Sequence, residues 1–322
     1  MPKFASSLFL TMLLGISAPA VDTTLLNTVM PDARVVAGVN ARQIKASDFG
    51  KFLLSQAEGE DRKFQEFILE TGLDPRRDID EILVSSKDGK HGSGILAVRG
   101  LFNTQQILSA VARKGGIATK YNDADLISRK ADSKSVVAVV NGTFAIAGEA
   151  GEVRAALDRR AAAMPAVDAA TVQKLDGLSA RYDAWVFVRS PADLAQGHAR
   201  RDGGSRLNAQ SLEAVEEISS GIEFGPSVRI SGEAIARSDK DATALADVLR
   251  FVAGLVQLQS DNPSPQVLAD LLNSLEIKTE ANRLTFSMAV PETQLEEMIR
   301  NHRTAPVRPH RPNRPNRPAR PA

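Results

Sequence analysis

The chain reads as α+β: two similar units in tandem, each an antiparallel sheet with helices packed on one face. Three observations predict this. Strand runs separated by short turns outnumber regular strand–helix–strand alternation, which favours antiparallel pairing. The same order of elements occurs twice along the chain. Asn141-Gly142, between two apolar runs, is a strong hairpin turn. A single large α+β domain, with halves alike only in element order, is the alternative reading.

The first unit covers 21–165. Its opening strand is Ala33–Asn40, where Val35, Val36 and Val39 suit a pleated, half-buried surface. Helices follow at 47–56 and 61–71, the second carrying Phe64, Phe67 and Ile68 at helical spacing. Gly72 stops it and Asp74-Pro75 turns the chain. Strands at 79–85 and 94–99 flank the glycine-rich stretch 87–93. A helix over 104–114 starts at an Asn103 cap and ends at Gly115-Gly116. Strands at 118–129, 135–140 and 143–147 precede a helix at 150–160 that buries Val153, Ala156 and Leu157.

The second unit covers 166–300, after a linker over Ala161–Gly177. It opens on the strand Ala184–Arg189, in which Trp185 and Phe187 share the core side by period two. A helix over Asn208–Ile218, strands at 221–224 and 228–236, and a long helix over 239–258 come next. Leu245, Val248, Leu249, Val252 and Val256 form the best helical stripe in the chain. Strands at 275–279 and 284–290 and a helix at 292–300 complete it.

Residues 1–20 have the layout of a secretory signal peptide: Lys3, an apolar run from Leu8 to Ile16, and small residues at Ala18 and Ala20. The apolar run is about half the ~20 residues that span a bilayer. Cleavage is therefore expected, leaving no transmembrane anchor and a periplasmic or secreted chain, away from cytosolic nucleotides. The chain has no cysteine, which excludes disulfides, thiolate catalysis and thiolate metal sites. Its net charge is +1, yet residues 301–322 hold six arginines and no acid, so the body is mildly acidic.

The segments MPDARVVAGVN (30–40), FILETGLDPRRDIDEILV (67–84) and TFAIAGEAGEVRAALDRR (143–160) carry a resemblance. They resemble a family of exported bacterial α+β proteins of unknown function, over most of residues 28–300. The resemblance implies export and the fold class, and no activity.

Catalytic and cofactor motifs are absent. Of four histidines, His302 and His310 fall at the C-terminal end, and His91 and His198 in separate loops, none at ligand spacing. Ser93 has His91 and Ile95 at the positions, two residues before and after, where a nucleophile elbow needs glycine. Asp123 and Asp125 read as a hairpin turn, because Lys134 stands where a calcium loop needs glutamate. Gly148 and Gly151 precede a helix as in phosphate loops, but Glu149 and Glu152 already occupy its first turn. No cofactor is expected. The body is read as a non-catalytic binding or interaction module, with an apolar ligand between helices and sheet as its sharper form. Phe49, Phe52, Phe64 and Phe67 could line such a cavity, although helix-to-sheet packing explains them too. The alternative is a carboxylate-based hydrolase of an envelope polymer, which needs two acids in one cleft.

Residues 306–321 run as Pro-x-Arg triplets. Proline at every third position favours polyproline II, with three residues per turn, so Arg308, Arg311, Arg314, Arg317 and Arg320 share one edge. With almost nothing apolar to pack, the tail 301–322 is expected to be disordered. Its cationic edge suits an anionic envelope polymer or lipid headgroup.

Overall fold

The computed structural model describes residues 23–57, 62–89, 93–194, 212–258 and 272–304. Its strands form one antiparallel sheet whose two halves meet where β1 (Val35–Asn40) pairs with β8 (Ala184–Arg189). From that seam one half runs β1, β2 (Ile79–Ser86), β3 (Gly94–Gly100), β7 (Phe144–Glu149), β6 (Ser135–Val140), β5 (Ala124–Ser128) and β4 (Ile117–Tyr121). The other runs β8, β9 (Val215–Glu223), β10 (Ser227–Ala236), β12 (Arg283–Pro291) and β11 (Glu276–Glu280). Going outward, each half places an opening strand, two successive neighbours, and then a later strand before an earlier one. The segments 21–165 and 166–300 therefore share one sheet. The α+β class stands.

Residue alternation gives the sheet two different faces. On one, Val36, Leu83, Ile95, Ala97, Trp185 and Phe187 are buried. They form a continuous core with α1 (Thr23–Leu26), α7 (Ala150–Ala161) and α8 (Ala169–Arg181). On the other face, Phe49 and Phe52 of α3 (Asp48–Ala57) pack with Phe224 and Val228, under α10 (Glu292–Thr304). The helix α9 (Asp239–Leu258) contacts β10, β12 and β11, with Ala242, Ala246 and Leu284 fully buried. Near the β4 edge, α6 (Thr104–Arg113) lies against β4, and α4 (Arg62–Thr71) against α6.

Helices thus cover both faces, which corrects the expectation of one. The strands dictate this: in β1, Val35, Ala37 and Val39 are as apolar as Val36, and neither side can be left wholly in water.

Local signals act as anticipated at several points. Asn103 caps α6 by accepting from the Gln106 N–H at 3.1 Å. Asn141 and Gly142 turn the β6–β7 hairpin with φ of 49° and 68°, inside the three-residue connection between the paired Val140 and Phe144. Three segments differ. Of the expected helix 208–218, residues 208–211 lie outside the described residues, 212 and 213 are helical, and β9 begins at Val215. The expected linker 161–177 contains most of the first three turns of α8, whose start is fixed by the Asp168 carboxylate accepting from the Thr171 N–H. The last helix continues to Thr304. Residues 1–20, His91, His198 and the arginines at 308, 311, 314, 317 and 320 lie outside the described residues. Among the described residues no helix is long and apolar enough to cross a membrane.

Candidate functional site

The less covered sheet face carries an apolar row built one residue per strand. Register places Val84 of β2 beside Leu96 of β3, Leu96 beside Ala147 of β7, Ala147 beside Val137 of β6, and Val137 beside Ile127 of β5. On the other side of Val84 the row continues through Ala37 and Val186 across the seam. Val84, Leu96 and Val137 remain 37%, 39% and 41% exposed. Their immediate chain neighbours Leu83, Ile95, Val136 and Ala138 are buried on the opposite face. Strand geometry therefore fixes which apolar side chains are sealed and which are offered.

The row floors a groove of about 770 Å³. One wall is the C-terminal end of α6, which contributes Val111, Lys114 and the following Gly116. At Gly116 an added Cβ would stand 2.6 Å from the Val111 Cγ1, so the chain leaves α6 in close contact with its own last turn. Polar residues flank the row: Ser86 lies two residues from Val84 at the β2 end, and Ser135 and Arg129 lie two residues from Val137 and Ile127 at the β6–β5 end. The lining holds two cations, Lys114 and Arg129, and no carboxylate. Lys114 is ion-paired with Glu70.

A second cleft, of about 610 Å³, opens on the other face between α8 and β10–β12–β11. Its lining is charged and hydroxylic: Lys174, Arg181, Tyr182, Glu233, Lys278 and Arg283 are representative. The buried Tyr182 hydroxyl lies 2.9 Å from the Ser231 Oγ. Glu233 is bound by both Lys174 and Arg283. Burial pushes its pKa up, but the hydrogen bonds and charges of these two cations outweigh that and hold it below the ordinary value. Glu276 is likewise lowered by its bond to Lys278.

Among the described residues three carboxyl groups have raised pKa values: Asp176 by burial, Asp183 chiefly by burial, and Glu292 by burial with Asp48 and Glu296 nearby. None of them lines either cleft. A general acid needs a carboxyl held protonated where substrate can reach it, and these clefts do not provide one. Among the described residues no cluster of three His, Asp or Glu could hold a metal ion.

The phenylalanines named as possible cavity walls do not meet at the groove. Phe49 and Phe52 stack on each other at 6.0 Å in the satellite core. The Phe64 ring lies beneath the Arg76 guanidinium, and Phe67 is 40% exposed. Trp185 and Phe187 are both buried in the main core. The groove residues themselves read in sequence as ordinary strand, and only register collects them.

No protein-family model matches the chain, and no curated protein matches it. A solved structure described as "Structure of crystal form I of TP0453" superposes with a TM-score of 0.46 and 10% identity, covering 88% of this chain and 98% of that one. A likeness of that degree says nothing about family, export or activity.

Proposed function

We propose that this is an exported, non-catalytic envelope protein whose body binds an apolar ligand in the groove between α6 and the sheet. The observation that carries the reading is the row Val84–Leu96–Ala147–Val137–Ile127, apolar at every position and left partly in water. Each methylene that such a floor removes from water contributes about 0.8 kcal/mol. About ten methylenes give ~8 kcal/mol, enough to offset much of the 4–15 kcal/mol lost on association. The carboxylates of the polar cleft, ionised and engaged by cations, favour binding over hydrolysis. The signal-like leader and the resemblance to exported bacterial proteins support the address. The Pro-x-Arg tail, with Arg308 to Arg320 along one edge, adds contact to an anionic polymer or lipid headgroup.

Native mass spectrometry of the purified chain tests the groove, together with titration of a fluorescent apolar probe. Expected are a co-purifying amphiphile and saturable probe binding that Val137→Asp abolishes. If the wild-type chain carries no small molecule and takes up no probe, the reading fails.

A further inference from the structure

We propose that the ligand is a single-chain amphiphile with an anionic head, its chain laid along the apolar row and its head held by Arg129. This rests on the groove being the binding site. Two independent features point to it.

The first is dimension. Five neighbouring strands, from Val84 on β2 to Ile127 on β5, span about 19 Å at the usual strand spacing. That compares with ~15 Å for one leaflet of a bilayer's hydrocarbon core. The floor is one residue wide and is flanked on one side by Val111 of α6. It suits one extended acyl chain.

The second is charge. Arg129 lies two residues beyond Ile127 and so falls on the same side of the strand line. Continuing the β5–β6 register from Ile127 opposite Val137 sets it opposite Ser135. Arg129 thus stands beside Ile127 at the β5 end of the apolar row, displaced from it along the strand direction. Arg129 has no ion pair or hydrogen bond among the described residues, unlike Lys114, which is held by Glu70. The nearest acid in that row is Glu149, opposite Ser135 and about two strand spacings (~10 Å) from Arg129. It does not line the groove. The Ala110, Val111 and Ala112 carbonyls in the last turn of α6 already accept from the N–H groups of Lys114, Gly115 and Gly116. A guanidinium presents a planar fork that matches a carboxylate or phosphate with two parallel hydrogen bonds. Among the described lining residues a cationic head would meet Lys114 and Arg129 and no carboxylate.

The test titrates the full-length chain calorimetrically with four ligands of equal chain length: hexadecanoate, hexadecyl phosphate, hexadecanol and hexadecylamine. Wild type is expected to bind one or both anionic ligands at least tenfold more tightly than the alcohol, and the amine most weakly. The stronger of the two anions identifies a carboxylate or a phosphate head. Arg129→Gln should weaken the anions about tenfold and leave the alcohol unchanged. The tail arginines are the same in both chains and cancel in that comparison. Arg129 is exposed, so the variant should fold, and an unchanged thermal midpoint checks this. Equal binding of alcohol and anion, or anion binding that Arg129→Gln leaves intact, overturns the head assignment while the groove stands. If none of the four binds, the groove reading and this inference fall together.

Discussion

Trp185 lies directly against Gly38 across the seam of the sheet. The two are register partners on β8 and β1, and a Cβ built on Gly38 would stand 2.5 Å from the indole Nε1. No side chain larger than hydrogen fits unless the indole moves, and the indole is 4% exposed within the main core. Gly38 is therefore a packing position, and its role is to let a large aromatic close the joint between the halves. Gly38→Val is expected to destabilise the fold by about 1–3 kcal/mol through overpacking. Trp185 is the only tryptophan, so its fluorescence reports unfolding in a urea titration. An unchanged midpoint would contradict the packing described.

Asp183 binds the first residues after β9 to the start of β8. Its carboxylate accepts from the Phe224 N–H at 2.6 Å, and its backbone carbonyl accepts from the Asn40 N–H at 2.7 Å. Asp183→Ala leaves the Phe224 donor without this acceptor in a largely buried setting, which costs about 1–3 kcal/mol. Asp183→Asn keeps an acceptor and removes a desolvated charge, so it should cost clearly less. Equal losses for the two variants in chemical denaturation would mean that the hydrogen bond is not what matters.

Glu233 makes acid sensitivity local. Its folded pKa lies below the ordinary 4.5. The stabilising contribution is therefore complete above pH 4.5 and is lost as pH falls through the depressed value. The raised groups Asp176, Asp183 and Glu292 act in the opposite direction, so the test is a difference. Between pH 6 and pH 3, wild type should lose more stability than Glu233→Gln. Parallel pH curves for the two chains would refute the assignment.

Asn40 ends β1 and caps α2 (Ala41–Ala46), its Oδ1 accepting from the Gln43 N–H at 3.0 Å. Asn40→Ala should cost about 1 kcal/mol, and Asn40→Ser distinctly less, both read from thermal midpoints.

The tail is testable independently of the body. Removing 305–322 should abolish binding to an anionic polymer such as heparin. For the full chain, log affinity should fall against log salt with a slope near −4, at roughly −0.7 to −0.9 per neutralised charge for five arginines. Salt-independent binding, or binding that survives truncation, would exclude the arginine edge.

The legible parts of this fold were those in which local chemistry and tertiary packing agree. The Asn141-Gly142 hairpin and the Asn103 cap each carry a residue-level reason that the fold leaves in place, whereas α9 forms as read but buries Ala242 and Ala246 and leaves Val248, Leu249 and Val252 of its apolar stripe exposed. Residues 212–218 were not legible, because Leu212, Val215 and Ile218 fit a helical spacing. Pairing with β8 and β10 wins there, as β9 fills the gap between them. The missed start of α8 had a signal in Asp168 and Thr171, hidden by the alanines and Pro165 before it. The groove was invisible for another reason. Val84, Leu96, Ala147, Val137 and Ile127 come from five different strands and become a surface only through register. Arg129 stands out only once register sets it beside Ile127 on the floor of that groove.

The seam has a consequence for synthesis. Val35 and Val188 are partners, yet they lie about 150 residues apart, a long-range pairing of the kind that slows folding. Until the ribosome has released Arg189, one flank of β1 has no neighbour and its backbone donors and acceptors stay unmatched. A nascent chain in that condition remains unfinished late into translation. During that interval the open flank of β1 can be matched by a strand of another chain, so association between nascent chains competes with closure of the seam.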